Sequence, residues 1–312
     1  MNFISLLNMV ATLAILLAVG FGSRKAGLID DTFSKKLSKL VVNIGQPMLI
    51  INSLISLEYS AENLRRGLTA LGLSFGLHIF MGILAFGFAR PLKDADKRKI
   101  SEFALVFVNA GFIGFPILES LLGEDGLFCG AFYLIGFHLF LWTWGILVLS
   151  RGRDDIKLTP RKVFFNYGTV PCFIGLVLYL VRVPIPEFIR IPVGYLAEMC
   201  TPLTMMIAGS LIAKGGLRNL LKCKENYYVA AVRLFIIPAV VCVALKLLGL
   251  GDFYVIFGTV MAALPSASMA TILGELYGIG PVYASRVVGF TTILCTFTLP
   301  LAVTFAGFIT AL

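Results

Sequence analysis

The chain has 312 residues, of which 58% are hydrophobic and only 14% are charged, and its mean hydropathy is +0.93. Soluble domains carry about a quarter charged residues, so a soluble globular protein is excluded and an integral membrane protein is predicted. The net charge of +9 does not indicate a nucleic-acid partner, because the basic residues are spread over many connecting loops.

Apolar runs long enough to cross a membrane follow one another along the whole chain. A helix of about 20 residues spans a hydrocarbon core of about 30 Å. The first run has no basic residue ahead of it and is followed by Arg24 and Lys25, so we interpret it as a retained helix and not as a signal peptide. The sequence thus predicts an all-α polytopic membrane protein with about ten spans, at residues 3–22, 37–57, 66–89, 101–122, 127–150, 163–182, 192–213, 227–249, 253–274 and 284–309.

The basic residues are distributed unequally between alternate loops. Counted together with the adjoining ends of the spans, the odd-numbered loops carry 20 of the 26 Lys and Arg residues, whereas the even-numbered loops carry five. By the positive-inside rule the odd loops are cytoplasmic and both termini lie outside. We therefore expect a multi-pass protein of the bacterial inner membrane with periplasmic termini.

The spans divide into two halves of five, residues 1–150 and 163–312, joined by a basic cytoplasmic loop at 151–162. An odd number of spans places the second half in the opposite orientation, which is the signature of an inverted repeat. Prolines recur in matching order, and the pairs are Pro47 with Pro202 and Pro116 with Pro265.

Helix-breaking residues interrupt the fourth and ninth spans. The fourth contains Gly111, Gly114 and Pro116, and the ninth contains Pro265. Proline removes an amide donor and glycine costs about 1 kcal/mol in a helix interior, so we expect both helices to open there. In transporters the free N-termini of such half-helices point at anionic groups. Ordinary proline kinks are the alternative.

Polar side chains beside the two breaks are candidate ligands. Asn109 precedes Pro116 by one to two turns, and its amide can donate to a carboxylate. Ser266 follows Pro265 directly, and Ser268 comes two residues later. The alternatives are an interhelical hydrogen bond for Asn109 and bonds to carbonyls of their own helix for the serines.

Further polar residues lie in the second and seventh spans. Asn52 and Thr204 are expected to complete a pocket from these neighbouring helices. Asn43 and Glu198 each stand four residues before their proline and are candidates for ion or proton coupling. For Glu198 the alternative is a carboxylate solvated near the outer membrane face.

Arg233 lies about two turns inside the eighth span, where an arginine costs about 2.5 kcal/mol or more near the centre. It is either the fixed cation for an anionic substrate or a side chain that snorkels to the cytoplasmic surface. His78 and His138 share no spacing with carboxylates or cysteines, and we interpret both as satisfied core histidines.

No motif for a metal, a cofactor or catalysis is evident. The six cysteines form no CxxC pair and are interpreted as packing residues. Hydrolase, metalloprotease and phosphate-binding motifs are missing from the sequence, so an enzyme is not expected. No cofactor is expected, and coupling to sodium or protons stays open.

Several motifs together resemble the auxin efflux carrier family, the bacterial permeases related to plant PIN-FORMED carriers. They are Asn109-x-Gly111-Phe112-x-Gly114-x-Pro116, Pro47-x4-Asn52-Ser53, Pro202-Leu203 followed by Ala208-Gly209-Ser210-Leu211, and Arg233-x4-Pro238. The resemblance implies a ten-helix inverted-repeat fold similar to sodium/proton antiporters and bile-acid symporters, with spans four and nine crossing at their prolines. It also implies elevator-like movement and small organic anions such as malonate, malate or auxin-like acids as substrates.

The sequence is thus interpreted as a secondary carrier of a small carboxylate. A membrane sensor that binds a metabolite without moving it is the alternative. The expected partners are the organic anion and the lipid bilayer, a homodimer is compatible with the sequence, and no nucleic acid is expected. The predicted substrate-binding residues are Asn109, Gly114, Pro116, Pro265, Ser266, Ser268, Asn52, Thr204 and Arg233.

Overall fold

The computed structural model describes residues 3–56, 59–152, 165 and 167–311, and the described chain is predominantly helical. Its only strand-like pairing is one antiparallel bridge between Val108 and Ser266. The helices in chain order are α1 (Phe3–Lys25), α2 (Asp31–Ile55), α3 (Ala61–Ala89), α4 (Ala95–Val106), α5 (110–122), α6 (Asp125–Ser150), α7 (Thr169–Val181), α8 (Glu187–Lys214), α9 (Leu217–Lys222), α10 (Lys224–Leu247), α11 (Asp252–Ala263), α12 (Met269–Tyr277) and α13 (Pro281–Ala311).

Six helices of the described chain have the length and apolar composition needed to cross a membrane, namely segments of α2, α3, α6, α8, α10 and α13. Two further apolar helices, α7 and α11, are shorter. The prediction of an all-helical, multi-pass membrane protein is confirmed. The connecting loop at 151–162 lies outside the described residues from position 153 onward.

Acidic caps start the helices that follow polar loops. The Asp30 carboxylate accepts a hydrogen bond from the Phe33 amide at 2.6 Å, and the Asp94 carboxylate accepts one from the Lys97 amide at 2.8 Å. A carboxylate in this position satisfies an unpaired amide and complements the positive helix end. These caps set where α2 and α4 begin.

A π-turn precedes each of three prolines inside long helices. Residues Val41–Gly45, Ala110–Gly114 and Val232–Ile236 form these wider turns. Each ends two residues before a proline, at positions 47, 116 and 238. A wider turn relieves the conflict between a proline and the carbonyl four residues earlier, so the helix continues through the proline.

The first helix break therefore lies in a different place from the one predicted. The sequence interpretation opened the fourth span around Pro116, but that residue lies within α5. Instead α4 ends at Val106, and the chain is extended at Phe107 before the helix resumes at Ala110. The second break was placed correctly, since α11 ends at Ala263 and α12 begins at Met269.

The helices pack in two sets. Helices α1, α2, α7 and α8 form one set, which we call the four-helix group. Its members approach closely at glycines, where Gly20 of α1 lies on the Met206 backbone and Gly175 of α7 lies against Leu54 of α2. Helices α3 to α6 and α10 to α13 form the second set, which we call the crossing group.

Ion pairs join helix ends within each set. In the four-helix group Asp31 binds both Arg24, at 2.6 Å, and Lys214, at 2.8 Å. In the crossing group the pairs are Lys97 with Glu225 at 2.7 Å, Arg66 with Asp125 at 2.5 Å, and Arg151 with Glu102 at 2.6 Å. Each of these pairs stays within its own set, so none of them ties the two sets together.

Candidate functional site

The two broken helices are α4 with α5 and α11 with α12. They cross at the segments 107–109 and 264–268 that separate their halves, and we call this place the crossing. Two backbone hydrogen bonds flank the bridge between Val108 and Ser266, one from the Asn109 amide to the Pro265 carbonyl at 2.9 Å and one from the Ala267 amide to the Phe107 carbonyl at 2.8 Å. Extended backbone at membrane depth needs such internal partners, because lipid supplies none. Pro265 therefore lies in the extended segment beside Asn109, whereas Pro116 lies within α5.

Side chains donate hydrogen bonds to the carbonyls at the C-terminal end of α4 that have no partner within the helix. The Ser266 hydroxyl donates to the Ala104 carbonyl at 3.1 Å, and Arg233 Nη1 donates to the Leu105 carbonyl at 3.2 Å. The last carbonyls of a helix have no partner within the helix. The Ser266 amide is also bonded, to the Thr291 hydroxyl at 3.2 Å. Ser266 therefore holds the crossing together.

Arg233 is fully buried inside the crossing group, so it does not snorkel to a membrane surface. Its charge lies at the negative end of the α4 dipole, which it complements. Among the described residues its Nε and Nη2 atoms have no hydrogen-bond partner. The arginine thus lies against the end of α4, and it does not line the cavity beside the crossing.

A cavity of about 30 Å³ lies between the crossing, α2, α6 and α8. A single water needs about 10–15 Å³ of such space, so the cavity has room for water. Its wall is mostly apolar. The polar side chains in the wall are Gln46, Asn109, His138, Thr204 and Ser268.

Two helix N-termini meet at this cavity. α5 begins after Asn109 and α12 begins after Ser268, and neither residue caps its own helix through its side chain. Instead Asn109 Nδ2 donates to the Ser268 hydroxyl across the crossing, at 3.2 Å. The start of a helix carries the positive end of its dipole. Some of the first amides are bonded locally here, since the Ala110 amide donates to the Val108 carbonyl at 2.8 Å and the Ala270 amide to the Ala267 carbonyl at 3.0 Å. This arrangement is suited to an anion.

The structure brings three predicted site residues together, because Asn109, Ser268 and Thr204 all line the cavity. The predicted Asn52 is half-buried on α2 and is not part of the cavity wall. The two candidates for coupling, Asn43 and Glu198, are exposed on α2 and α8.

Other predicted residues form the backbone of the crossing or pack against it. Pro265 and Ser266 form its backbone. Gly114 packs on Leu264, whose Cδ1 atom lies 2.9 Å from where a Cβ would stand. A larger residue at 114 would therefore disturb the contact between the two breaks.

Two cavity residues were not selected from the sequence. Gln46 stood among several polar residues of the second span with nothing to single it out. His138 was interpreted as a satisfied core histidine, which is wrong, since both of its ring nitrogens are buried without a partner in the described residues. Only the packing of α6 on the crossing reveals its place, because one histidine in an apolar helix carries no periodic signal.

Comparison with known proteins agrees with this membrane architecture. The family model described as membrane transport protein matches residues 5–303. The chain therefore belongs to this family of transporters, and the resemblance to the auxin efflux carriers is confirmed.

Three relatives extend over most of the chain. An uncharacterized transporter of Methanocaldococcus jannaschii is 26% identical and covers 87% of this chain and 89% of its own length. An uncharacterized transporter of Methanothermobacter thermautotrophicus is 24% identical, over 96% of this chain and 98% of the relative. A Rhizobium meliloti protein named "Putative malonate transporter" is 23% identical, over 84% of this chain and 83% of the relative.

Proposed function

We propose that the protein is a secondary transporter of small organic anions, and that the anion binds where α5 and α12 begin. The observation that carries this proposal is the meeting of two N-termini without side-chain caps at one cavity. Helix N-termini offer amide donors and a positive dipole to carboxylates. The name of the Rhizobium relative makes malonate the first substrate to test.

The packing supports ten spans arranged as two inverted five-helix repeats, 1–150 and 163–312, joined by the loop at 151–162. In this count α4 with α5, and α11 with α12, each form one broken span. Contacts recur in mirrored order, since α1 packs on α8 as α7 packs on α2, and α3 packs on α6 as α10 packs on α13. Inverted repeats place a substrate site at their interface, where the broken helices lie.

The two groups of helices support an elevator-like movement. The named ion pairs stay within each group, whereas contacts between the groups include apolar ones such as Gly289 of α13 on Ile212 of α8 and Gly111 of α5 near Leu49 of α2. Apolar surfaces slide without breaking hydrogen bonds. Movement of one group against the other would change the access of substrate to the cavity between them.

The ion pairs also bear on orientation. They join the first loop to the seventh, through Asp31 and Lys214, and the third to the seventh, through Lys97 and Glu225. The basic loops thus meet on one face, which we infer to be cytoplasmic by the positive-inside rule. Single cysteines in 183–190 should react with an impermeant reagent from outside, and reaction at 151–162 in intact cells would contradict this orientation.

Reconstitution into proteoliposomes tests the function. We expect uptake of labelled malonate, and loss of one hydrogen bond to a charged ligand in Asn109→Ala should weaken binding by about 1.5–3 kcal/mol. The control is Thr304→Ala, which removes an exposed polar group of α13 outside the cavity. Absence of uptake across a panel of mono- and dicarboxylates would refute the proposal, and binding without flux would indicate a receptor instead.

A further inference from the structure

Among the described residues, His138 is the one side chain of the cavity wall whose residue type has an ordinary pKa near neutral pH. It is fully buried on α6, and neither ring nitrogen has a hydrogen-bond partner in the described part of the chain. Buried polar groups in native proteins are almost always paired, so an unpaired group that borders a cavity calls for a partner from outside the chain. A neutral imidazole offers one donor and one acceptor, and an imidazolium offers two donors.

The second histidine is also buried, but it differs in its hydrogen bonding and in its position. His78 Nδ1 lies 2.7 Å from the Ser74 carbonyl, to which it donates, and its ring stacks on Phe140 at 5.3 Å. His78 is not part of the cavity wall. One ring nitrogen of His78 is therefore paired within the chain, although its Nε2 has no partner among the described residues. Neither ring nitrogen of His138 has a partner there, and its ring contacts Phe137 at 5.1 Å.

We propose that His138 binds the substrate anion and takes up a proton from water as it does so, so that the transporter carries one proton with each anion. The inference rests on the proposed function of the same cavity. An N–H of the imidazolium would donate to a carboxylate oxygen, and such charge-assisted bonds are short and strong. When the anion leaves, the proton returns to water on the side of release.

The surroundings of His138 make this uptake depend on the anion. His78 of α3 lies within electrostatic range of His138, and Arg233 of α10 lies within range of His78. From α2 and α8 the cavity receives Gln46 and Thr204, which do not titrate. No carboxylate of the described chain lines the cavity, so within its wall only a bound anion would stabilise a positive imidazole against burial and against the charge of Arg233.

Few titratable groups around His138 could accept a proton when the anion binds. Tyr133 precedes His138 on α6, and its hydroxyl has no partner among the described residues. Tyrosine ordinarily loses its proton only near pH 10, so it does not take up a proton at neutral pH. The imidazole of His78, which is close to His138 but outside the cavity wall, is the second group able to accept one. It therefore serves as the control.

Calorimetry on the purified full-length protein tests the inference. Malonate is titrated at a pH above its second ionisation, in buffers that differ in ionisation enthalpy, and the dependence of the heat on buffer counts the protons bound. We expect about one proton taken up per malonate in the wild type, by linkage between ligand and proton binding. His138→Gln should bind malonate with proton uptake near zero, and His78→Gln should retain it.

A second ligand separates protonation of the protein from protonation of the substrate. Methanedisulfonate has a shape similar to malonate, but its sulfonates stay ionised, so uptake that persists with it places the proton on the protein. Malonate binding in the wild type without proton uptake would overturn the inference and leave the proposed function intact. Unchanged uptake in His138→Gln would also overturn it, and no binding of malonate or of any other mono- or dicarboxylate in the panel would refute both.

Discussion

Polar side chains at the crossing have two different tasks. Ser266 and Arg233 bond to carbonyls at the end of α4, whereas Asn109 and Ser268 border the cavity. The first pair stabilises the extended backbone and the second pair is available to a ligand. Substitutions only two residues apart should therefore affect different properties.

The two serines provide a direct comparison. Ser266→Ala leaves the Ala104 carbonyl without its partner, which should cost about 1–3 kcal/mol of stability, because a buried acceptor becomes unsatisfied. Ser268→Ala removes a hydroxyl that faces the cavity. It should weaken malonate binding and change stability less. Thermal unfolding and calorimetry of both variants check this, and the reverse pattern would show that the roles are exchanged.

Arg233 should affect stability more than ligand charge preference. Arg233→Gln shortens the side chain that reaches the Leu105 carbonyl, and loss of a charged hydrogen bond costs about 1.5–3 kcal/mol. Since the arginine does not line the cavity, the ratio of dianion to monoanion affinity should stay unchanged. Malonate and acetate titrations measure the ratio, with the exposed Arg218→Gln as control. A marked fall in the ratio would place Arg233 in contact with the ligand.

At the scale of helices, prolines act in two ways. Pro265 lies within a break, whereas Pro47, Pro116 and Pro238 follow π-turns and lie inside helices. A π-turn adjusts the hydrogen-bond register without ending the helix. At these four positions proline thus marks either a break or a widened turn, whereas Pro192 and Pro300 lie inside helices without a π-turn directly before them.

This difference predicts unequal effects of two proline substitutions. Pro265→Ala restores an amide donor within the break and favours continuous helix there, so it should strongly lower malonate uptake. Pro116→Ala leaves the break at 107–109 in place and should lower uptake less. Uptake in proteoliposomes, normalised to inserted protein, measures both. A greater loss with Pro116→Ala would show that the π-turn and not the break limits transport.

At the scale of the whole molecule, the two groups of helices are held internally by ion pairs and close glycine contacts. Gly289 of α13 lies against Ile212 of α8, where the Ile212 Cδ1 atom is 3.1 Å from the position of an added Cβ. This contact connects the groups through apolar atoms alone. It is therefore a suitable place to test whether the groups must move.

Joining the groups covalently should stop transport. In a Cys223→Ser background, which removes the one cysteine of the described chain that is not buried, Ile212→Cys with Gly289→Cys is treated with a short bifunctional thiol reagent that is cleaved by reductant. Malonate uptake should be lost and then regained after reduction. The control pair Arg66→Cys with Asp125→Cys lies within the crossing group and should leave uptake intact. Full uptake by the cross-linked 212–289 pair would exclude relative movement of the groups.

The sequence alone determined the class of protein, because hydropathy and length report directly on whether a helix is stable in lipid. It also located the second break at Pro265, because proline removes an amide donor and clashes with the preceding helical turn. Asn109, Ser268 and Thr204 were identified because polar residues are few in apolar spans, so each one beside a break is conspicuous.

The tertiary structure alone decided which polar side chains line the cavity and which bond to backbone carbonyls of other helices. Ser266 and Ser268 are equivalent in the sequence, but the bridge with Val108 directs one to the α4 carbonyls and the other to the cavity. The first break moved from Pro116 to 107–109 because a π-turn accommodates that proline and the crossing with the second half stabilises extended backbone earlier in the chain. His138 became a cavity residue through packing between distant helices, a relation that local sequence does not encode.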